Sequence, residues 1–151
     1  MNKQNIILIG MPGAGKSSVG VILAKVLGYE FIDTDLVIQH REKRLLREII
    51  ADEGNEGFLA IENEVNATLE ADKSVIAPGG SAIYGKEAME HFKEIGTIVY
   101  LKLSYEDLAK RLGNLKGRGV VLKEGQTLKD LYDERSKLYE QYAEITVDES
   151  G

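Results

Sequence analysis

Residues Gly10 to Ser17 read G-M-P-G-A-G-K-S, a complete G-x-x-x-x-G-K-[ST] pattern directly behind the apolar run Ile6–Ile9. A strand feeding such a loop, followed by a helix, aims backbone N–H groups and a positive dipole end at an anion. In this pattern the lysine reaches the outer phosphates of a nucleotide and the hydroxyl ligates Mg²⁺. Lys16 and Ser17 are therefore candidate phosphate and metal residues, with Gly13, Ala14, Gly15 and Ser18 around the same phosphates. A second cluster is Asp33-Thr34-Asp35, at the end of a short apolar run. In a parallel sheet the C-terminal ends of the strands line the ligand crevice. Two carboxylates at i, i+2 there can divide the work, one near a metal and one on an acceptor hydroxyl. The alternative is that Asp35 merely caps a helix starting at Leu36. A third segment, Gly113 to Gly125, holds four glycines and three cations. A loop that long in a compact domain suits a lid over bound nucleotide.

Apolar runs alternate with helical patterns along the chain. Strands are expected at Ile6–Ile9, Tyr29–Asp33, Ser74–Ala77, Thr97–Leu103 and Glu144–Val147. Helices are expected at Ser17–Leu27, Leu36–Ala51, Gly57–Ala71, Lys86–Ile95, Tyr105–Leu112 and Leu128–Tyr142. In the first helix Val19, Ile22, Leu23 and Val26 have core spacing. Short strands separated by helices predict an α/β fold with a parallel sheet covered on both faces. One domain over residues 1–151 is expected.

Composition narrows the chemistry. The net charge of −6 argues against nucleic acid as the main partner. With no cysteine, disulfides and thiolate metal sites are excluded. His40 and His91 lie in polar helical surroundings and read as surface residues. No apolar stretch has the length of a membrane span and no signal-peptide pattern is present, so a cytoplasmic location is expected. There is no N-K-x-D guanine motif and no extended apolar strand ending in Asp-Glu, which turns the reading from GTPases and motor ATPases towards kinases.

Taken in order, G-M-P-G-A-G-K-S-S, F-I-D-T-D, G-F-x-x-x-E (Gly57–Glu62), A-P-G-G-S (Ala77–Ser81) and E-R-S-K-L-Y (Glu134–Tyr139) resemble the shikimate kinases over nearly the whole chain. The resemblance implies a phosphate-loop kinase fold, a three-layer sandwich on a five-stranded parallel sheet in the order 2-3-1-4-5. It implies a substrate-binding segment near residues 33–62 and a lid near 113–125. It places Lys16 and Ser17 at the phosphates and Mg²⁺, and Asp33 beside the metal. Asp35 would bind the acceptor hydroxyl and act as base. Gly79 and Gly80 would form the substrate-binding turn. Arg111 would lie against the adenine, Arg118 would reach in from the lid, and Arg135 would grip the substrate carboxylate. The implied activity is ATP- and Mg²⁺-dependent phosphorylation of the shikimate 3-hydroxyl. Another small hydroxylated acceptor, or a non-catalytic nucleotide-binding relative, are the alternatives. Partners would be the small acceptor and ATP, with no nucleic acid or membrane. A monomer is expected, because no long exposed apolar stripe remains once the core is assigned.

The chain departs from that pattern at the substrate end. Leu59 stands where the family carries an arginine for the substrate carboxylate, Ser81 replaces the third glycine of the turn, and Pro78 precedes it. The lid reads Arg118-Gly119-Val120-Val121 instead of R-P-L-L. A charge-assisted contact of the missing kind is worth roughly 1.5–3 kcal/mol. Arg41, Arg44 and Arg47 are the nearby cations that could replace it. Gly151, the last residue, falls just past the last strand, where the family runs on, so an exposed sheet face is expected.

Overall fold

The computed structural model describes residues 4–113 and 126–149. In chain order the elements are β1 (Asn5–Ile9), α1 (Lys16–Leu27), β2 (Glu30–Asp33), α2 (Thr34–Glu42), α3 (Leu46–Ala67), β3 (Ser74–Ala77), a 3₁₀ turn (Ala82–Tyr84), α4 (Lys86–Ile95), β4 (Gly96–Lys102), α5 (Tyr105–Gly113), α6 (Leu128–Tyr142) and β5 (Ile145–Asp148). All five strands are parallel, in the order β2-β3-β1-β4-β5. The expected topology is therefore borne out.

The centre of the sheet is buried on both faces because its strands carry apolar side chains at successive positions. Ile7 and Ile9 point into one core with Ile76, Ile98, Tyr100, Phe92 and Leu131. Leu8 points the other way, packing with Ala24, Val75 and Leu101 beneath α1. Asn5 ties the lower end together. Its amide donates to the Ala71 and Ile95 carbonyls and its oxygen accepts from the Ser74 N–H. β1 connects towards β2 on one side of the sheet and β3 towards β4 on the other, so the loops after β1 and β3 diverge. That opens a crevice at the C-terminal edge of the sheet.

Three expectations need correction. First, α1 turns small residues to the sheet. Gly20 and Ala24 are buried, while Ile22 is 63% and Val26 76% exposed. The cause is the Phe31 ring: a Cβ on Gly20 would lie 2.5 Å from its Cε1. Second, the Leu36–Ala51 helix is two helices. It starts at Thr34 and ends at Glu42, with Lys43 in the left-handed region at φ 55°, and the Leu46 N–H donates to Gln39 Oε1. The next helix then runs from Leu46 to Ala67, kinked at Gly54 (φ 75°) rather than beginning at Gly57. Third, His91 is half-buried, its ring nitrogen 2.6 Å from the Leu69 carbonyl, whereas His40 is exposed as expected.

The premise of the monomer expectation, that no apolar stripe stays exposed, also fails. Val21, Ile22, Val26 and Leu27 of α1, and Ile145 and Val147 of β5, are exposed. Ile145 and Val147 pair with Val99 and Leu101, on the α1 side of the sheet. Among the described residues no helix is long and apolar enough to cross a membrane.

Candidate active site

The crevice holds a cleft of about 670 Å³, lined by three groups of residues. The phosphate loop contributes Pro12, Gly13, Gly15, Lys16, Ser17 and Ser18. Asp33 and Asp35 come from the β2–α2 junction, and Glu62 from α3. Gly79, Gly80 and Ser81 follow β3, and Arg111 and Arg135 come from α5 and α6. Thus most residues singled out in the sequence meet in one place. Ala14 is the exception within the loop: it is fully buried, and its N–H donates to the Met11 carbonyl. Arg118 and the expected lid lie outside the described residues.

The loop takes its shape from its glycines. Gly13 (φ 93°) and Gly15 (φ 80°) are in the left-handed region that a side chain disfavours, and α1 starts immediately after Gly15. Lys16 folds back so that its ammonium donates to the Gly10 and Met11 carbonyls. Burial lowers its pKa to about 8, against the opposing charge of Asp35. Arg111 is exposed but not idle. Its guanidinium donates to the Gly13 carbonyl at 2.8 Å, which places it across the loop.

At the β2–α2 junction the capping residue is Asp33, whose Oδ1 accepts from the Asp35 N–H at 2.9 Å. The alternative reading of Asp35 as a mere cap is thereby removed. Asp35 sits in the first helical turn facing the cleft. Burial, then the neighbouring Asp33 charge, push its pKa up to about 6, with Lys16 pulling the other way. A carboxylate near neutrality in a cleft opposite a lysine suits accepting a proton or a hydroxyl hydrogen bond.

The far end is built around the Gly79–Gly80 turn. A Cβ on Gly79 would lie 2.9 Å from Asp35 Oδ1 and 3.2 Å from Glu62 Oε2. A Cβ on Gly80 would lie 2.7 Å from the Pro12 ring and 2.8 Å from an Arg135 terminal nitrogen. Arg135 is only 1% exposed, which rules out a solvated role. Its guanidinium lies 5.6 Å from the Tyr84 ring centre, and its Nε makes no hydrogen bond. Tyr139, one helical turn on, donates to the Gly80 carbonyl at 2.7 Å. A capping box at Thr127 and Asp130 fixes the start of α6 and hence the reach of Arg135.

Sequence reasoning missed the pairing of Glu62 with Ser81, whose hydroxyl donates to Glu62 Oε1 at 2.7 Å. The available signal was a lone carboxylate on the apolar stripe Phe58, Ile61, Val65 of α3. The expected substitutes for an arginine at position 59 do not reach the cleft. Arg41 pairs with Glu64, and Arg44 with Glu42, Asp52 and Glu53; neither they nor Arg47 line it. Leu59 packs instead into the cluster of Ile38, Ile49, Phe58 and Val65.

A parallel sheet with a phosphate loop after β1, facing a carboxylate and a buried arginine across one cleft, defines a small-molecule kinase. The comparisons identify which kind. The shikimate kinase family model matches residues 12–151. The shikimate kinase 2 of Yersinia enterocolitica is 34% identical over 96% of this chain and 86% of its own length. The shikimate kinase from Acinetobacter baumannii, solved in complex with shikimate, superposes with a TM-score of 0.86 at 35% identity, covering 98% of this chain and 84% of that one. The Aquifex aeolicus shikimate kinase gives 0.76 at 33%, over 95% and 85%. The chain belongs to the shikimate kinase family.

Proposed function

We propose that this protein transfers the γ-phosphoryl group of ATP to the 3-hydroxyl of shikimate. One observation carries the reading: Lys16, Asp35 and Arg135 line the same cleft, so phosphate, hydroxyl and carboxylate partners stand around a volume fit for a small acceptor. Phosphoryl transfer needs alignment and positive charge more than covalent help. Lys16 supplies that charge at the phosphate end once its ammonium turns from the loop carbonyls. Asp35 orients the acceptor hydroxyl and takes its proton as the new P–O bond forms. Arg135 holds the acceptor carboxylate, and the Gly79–Gly80 turn forms the wall against which the ring rests. Arg111 borders the nucleotide side. The acceptor side spans residues 33–62 of a single domain, 1–151.

The donors present fit Mg²⁺. Ser17 and Asp33 offer hard oxygen ligands beside the loop. Mg²⁺ is commonly held by one or two protein oxygens with waters and phosphates completing the shell. Ser17 and Asp33 would hold it, and when bound it neutralises charge on the transferring phosphate.

A second reading keeps the kinase chemistry and changes the acceptor. Leu59 favours it, because Arg135 is left as the one described arginine at the acceptor end. The test is ADP release with ATP and Mg²⁺ against shikimate and a panel of hydroxy acids, with the product's phosphorylated position read by ³¹P and ¹H NMR. Shikimate 3-phosphate as the favoured product supports the reading. Faster turnover of another acceptor replaces it, and no acceptor-stimulated ADP release overturns it.

A further inference from the structure

Glu62 is a buried acid that forms no ion pair among the described residues, although Arg135 is near enough to act on it. It is 1% exposed, and its Oε2 is buried without a hydrogen bond. Oε1 accepts from the Ser81 hydroxyl. Position 59, one turn earlier on α3, supplies leucine. The side chain nevertheless borders the cleft, and its Oε2 and Asp35 Oδ1 both crowd the space that a Cβ on Gly79 would fill, at 3.2 and 2.9 Å.

We propose that Glu62 is an acceptor-binding residue that works as a neutral carboxylic acid, donating an Oε2–H hydrogen bond to a substrate oxygen beside Gly79, with Ser81 fixing its rotamer. Asp35 then accepts and Glu62 donates, so the gap at Gly79 selects a hydroxyl, which can do both at once. An ionised pair of acids flanking that gap would offer two acceptors and repel each other. Burial supports the assignment by pushing the Glu62 pKa up to about 8; the Ser81 bond and Arg135 pull it down, and Asp35 adds to the rise. The charged and polar groups facing Glu62 are Asp35 from α2, Ser81 from the turn and Arg135 from α6. Neighbouring groups on the packed elements are turned elsewhere: Arg41 to Glu64, His91 to the Leu69 carbonyl, and Tyr84 to Glu134. Environments that hold one carboxyl neutral beside an ionised one are a known way to divide donor and acceptor roles.

This inference rests on the proposed acceptor chemistry, and the experiment separates the two. Acceptor KM and kcat are measured from pH 6.5 to 9.5 at saturating ATP for the wild type, Glu62→Gln and Ser81→Ala. The expected wild-type KM is flat to about pH 8 and then climbs towards tenfold per pH unit. Glu62→Gln, which keeps a neutral donor, stays within about threefold of wild type at pH 7 and loses the climb. Ser81→Ala removes a bond that favours the ionised form, so its climb begins at higher pH. A Glu62→Gln profile that climbs like wild type overturns the proposal, as does loss of acceptor binding at pH 7 in a variant that melts normally. The carboxyl ¹³C shift of Glu62, followed without any substrate, gives a second reading. Titration near pH 8 supports the neutral acid even if shikimate is not the acceptor, and titration near pH 4.5 rejects it whatever the acceptor.

Discussion

Gly79→Ala isolates the acceptor end of the cleft from everything else. Gly79 is not among the residues with positive φ, so alanine fits the backbone without strain. The new methyl would stand 2.9 Å from Asp35 Oδ1 and 3.2 Å from Glu62 Oε2. Both neighbours are the free ends of side chains, so they give way and the fold survives. The Asp35 contact is about half an ångström inside ordinary van der Waals distance. Displacement of a catalytic group by about 1 Å costs on the order of a hundredfold in rate. A shift of half that size, with lost space for the acceptor, predicts a fall in kcat/KM of roughly ten- to a hundredfold. Lys16 and Ser17 lie on the other side of the cleft, so nucleotide affinity should change by less than about twofold. The assay combines ADP release over an acceptor titration, nucleotide titration by calorimetry, and a thermal melt. Wild-type kcat/KM in a variant with unchanged melting would refute the placement of Asp35 and Glu62 around this turn. So would an equal loss of nucleotide and acceptor affinity.

Other substitutions probe the remaining parts. Arg135→Lys cannot reproduce a planar, two-pronged contact, so acceptor KM should rise roughly ten- to a hundredfold with little change in ATP KM; initial-rate kinetics check it. Tyr139→Phe leaves the buried Gly80 carbonyl unpaired, costing about 1–3 kcal/mol. For a domain of this size that lowers Tm by roughly 2–10 °C, readable by calorimetry. Gly20→Val would drive a side chain into the Phe31 ring, 2.5 Å from the first added carbon, and should reduce soluble folded protein measured by circular dichroism. Glu62 also predicts a stability slope. Its folded pKa lies near 8 against an ordinary value of 4.5, so the folded state binds the extra proton between them. Its contribution is complete below about pH 4.5 and is lost as pH rises through about 8. Glu62→Gln should therefore gain about 1–3 kcal/mol on wild type between pH 5 and pH 9, after relaxation of the site; melts across that range test it.

The sheet and the phosphate end were readable because local chemistry dictates them. An apolar run, three glycines and a G-K-S sequence leave few alternatives, and the strand order followed from the family resemblance. The α2–α3 region was misread for a physical reason. Its helical periodicity continues through Lys43 and Gly54, and the breaks come from left-handed backbone angles at those residues. Lysine gives no sequence sign of that conformation. The α1 face was misread because hydrophobic spacing points to Ile22 and Val26, whereas Gly20 and Ala24 let the helix approach the sheet. Arg135 gave no sign of its burial, since lysines flank its helix and its partners lie far away in sequence. Glu62 was visible within a motif, but its role depends on Ser81 and Gly79, whose proximity only the fold supplies.

The Gly80–Pro12 contact has a mechanical consequence. The Pro12 ring belongs to the phosphate loop, and Gly80 to the turn proposed to seat the acceptor. The proline ring occupies the space that a Cβ on Gly80 would need. In the proposed reading the separation of donor phosphorus from acceptor oxygen is thus gauged by a rigid ring set against a glycine turn, which acts as a fixed spacer. Rotamer changes in the surrounding arginines and carboxylates alter how firmly each substrate is gripped and leave that gauge unchanged. Recognition of the acceptor can accordingly drift over evolutionary time while the reach of the phosphoryl jump stays constant.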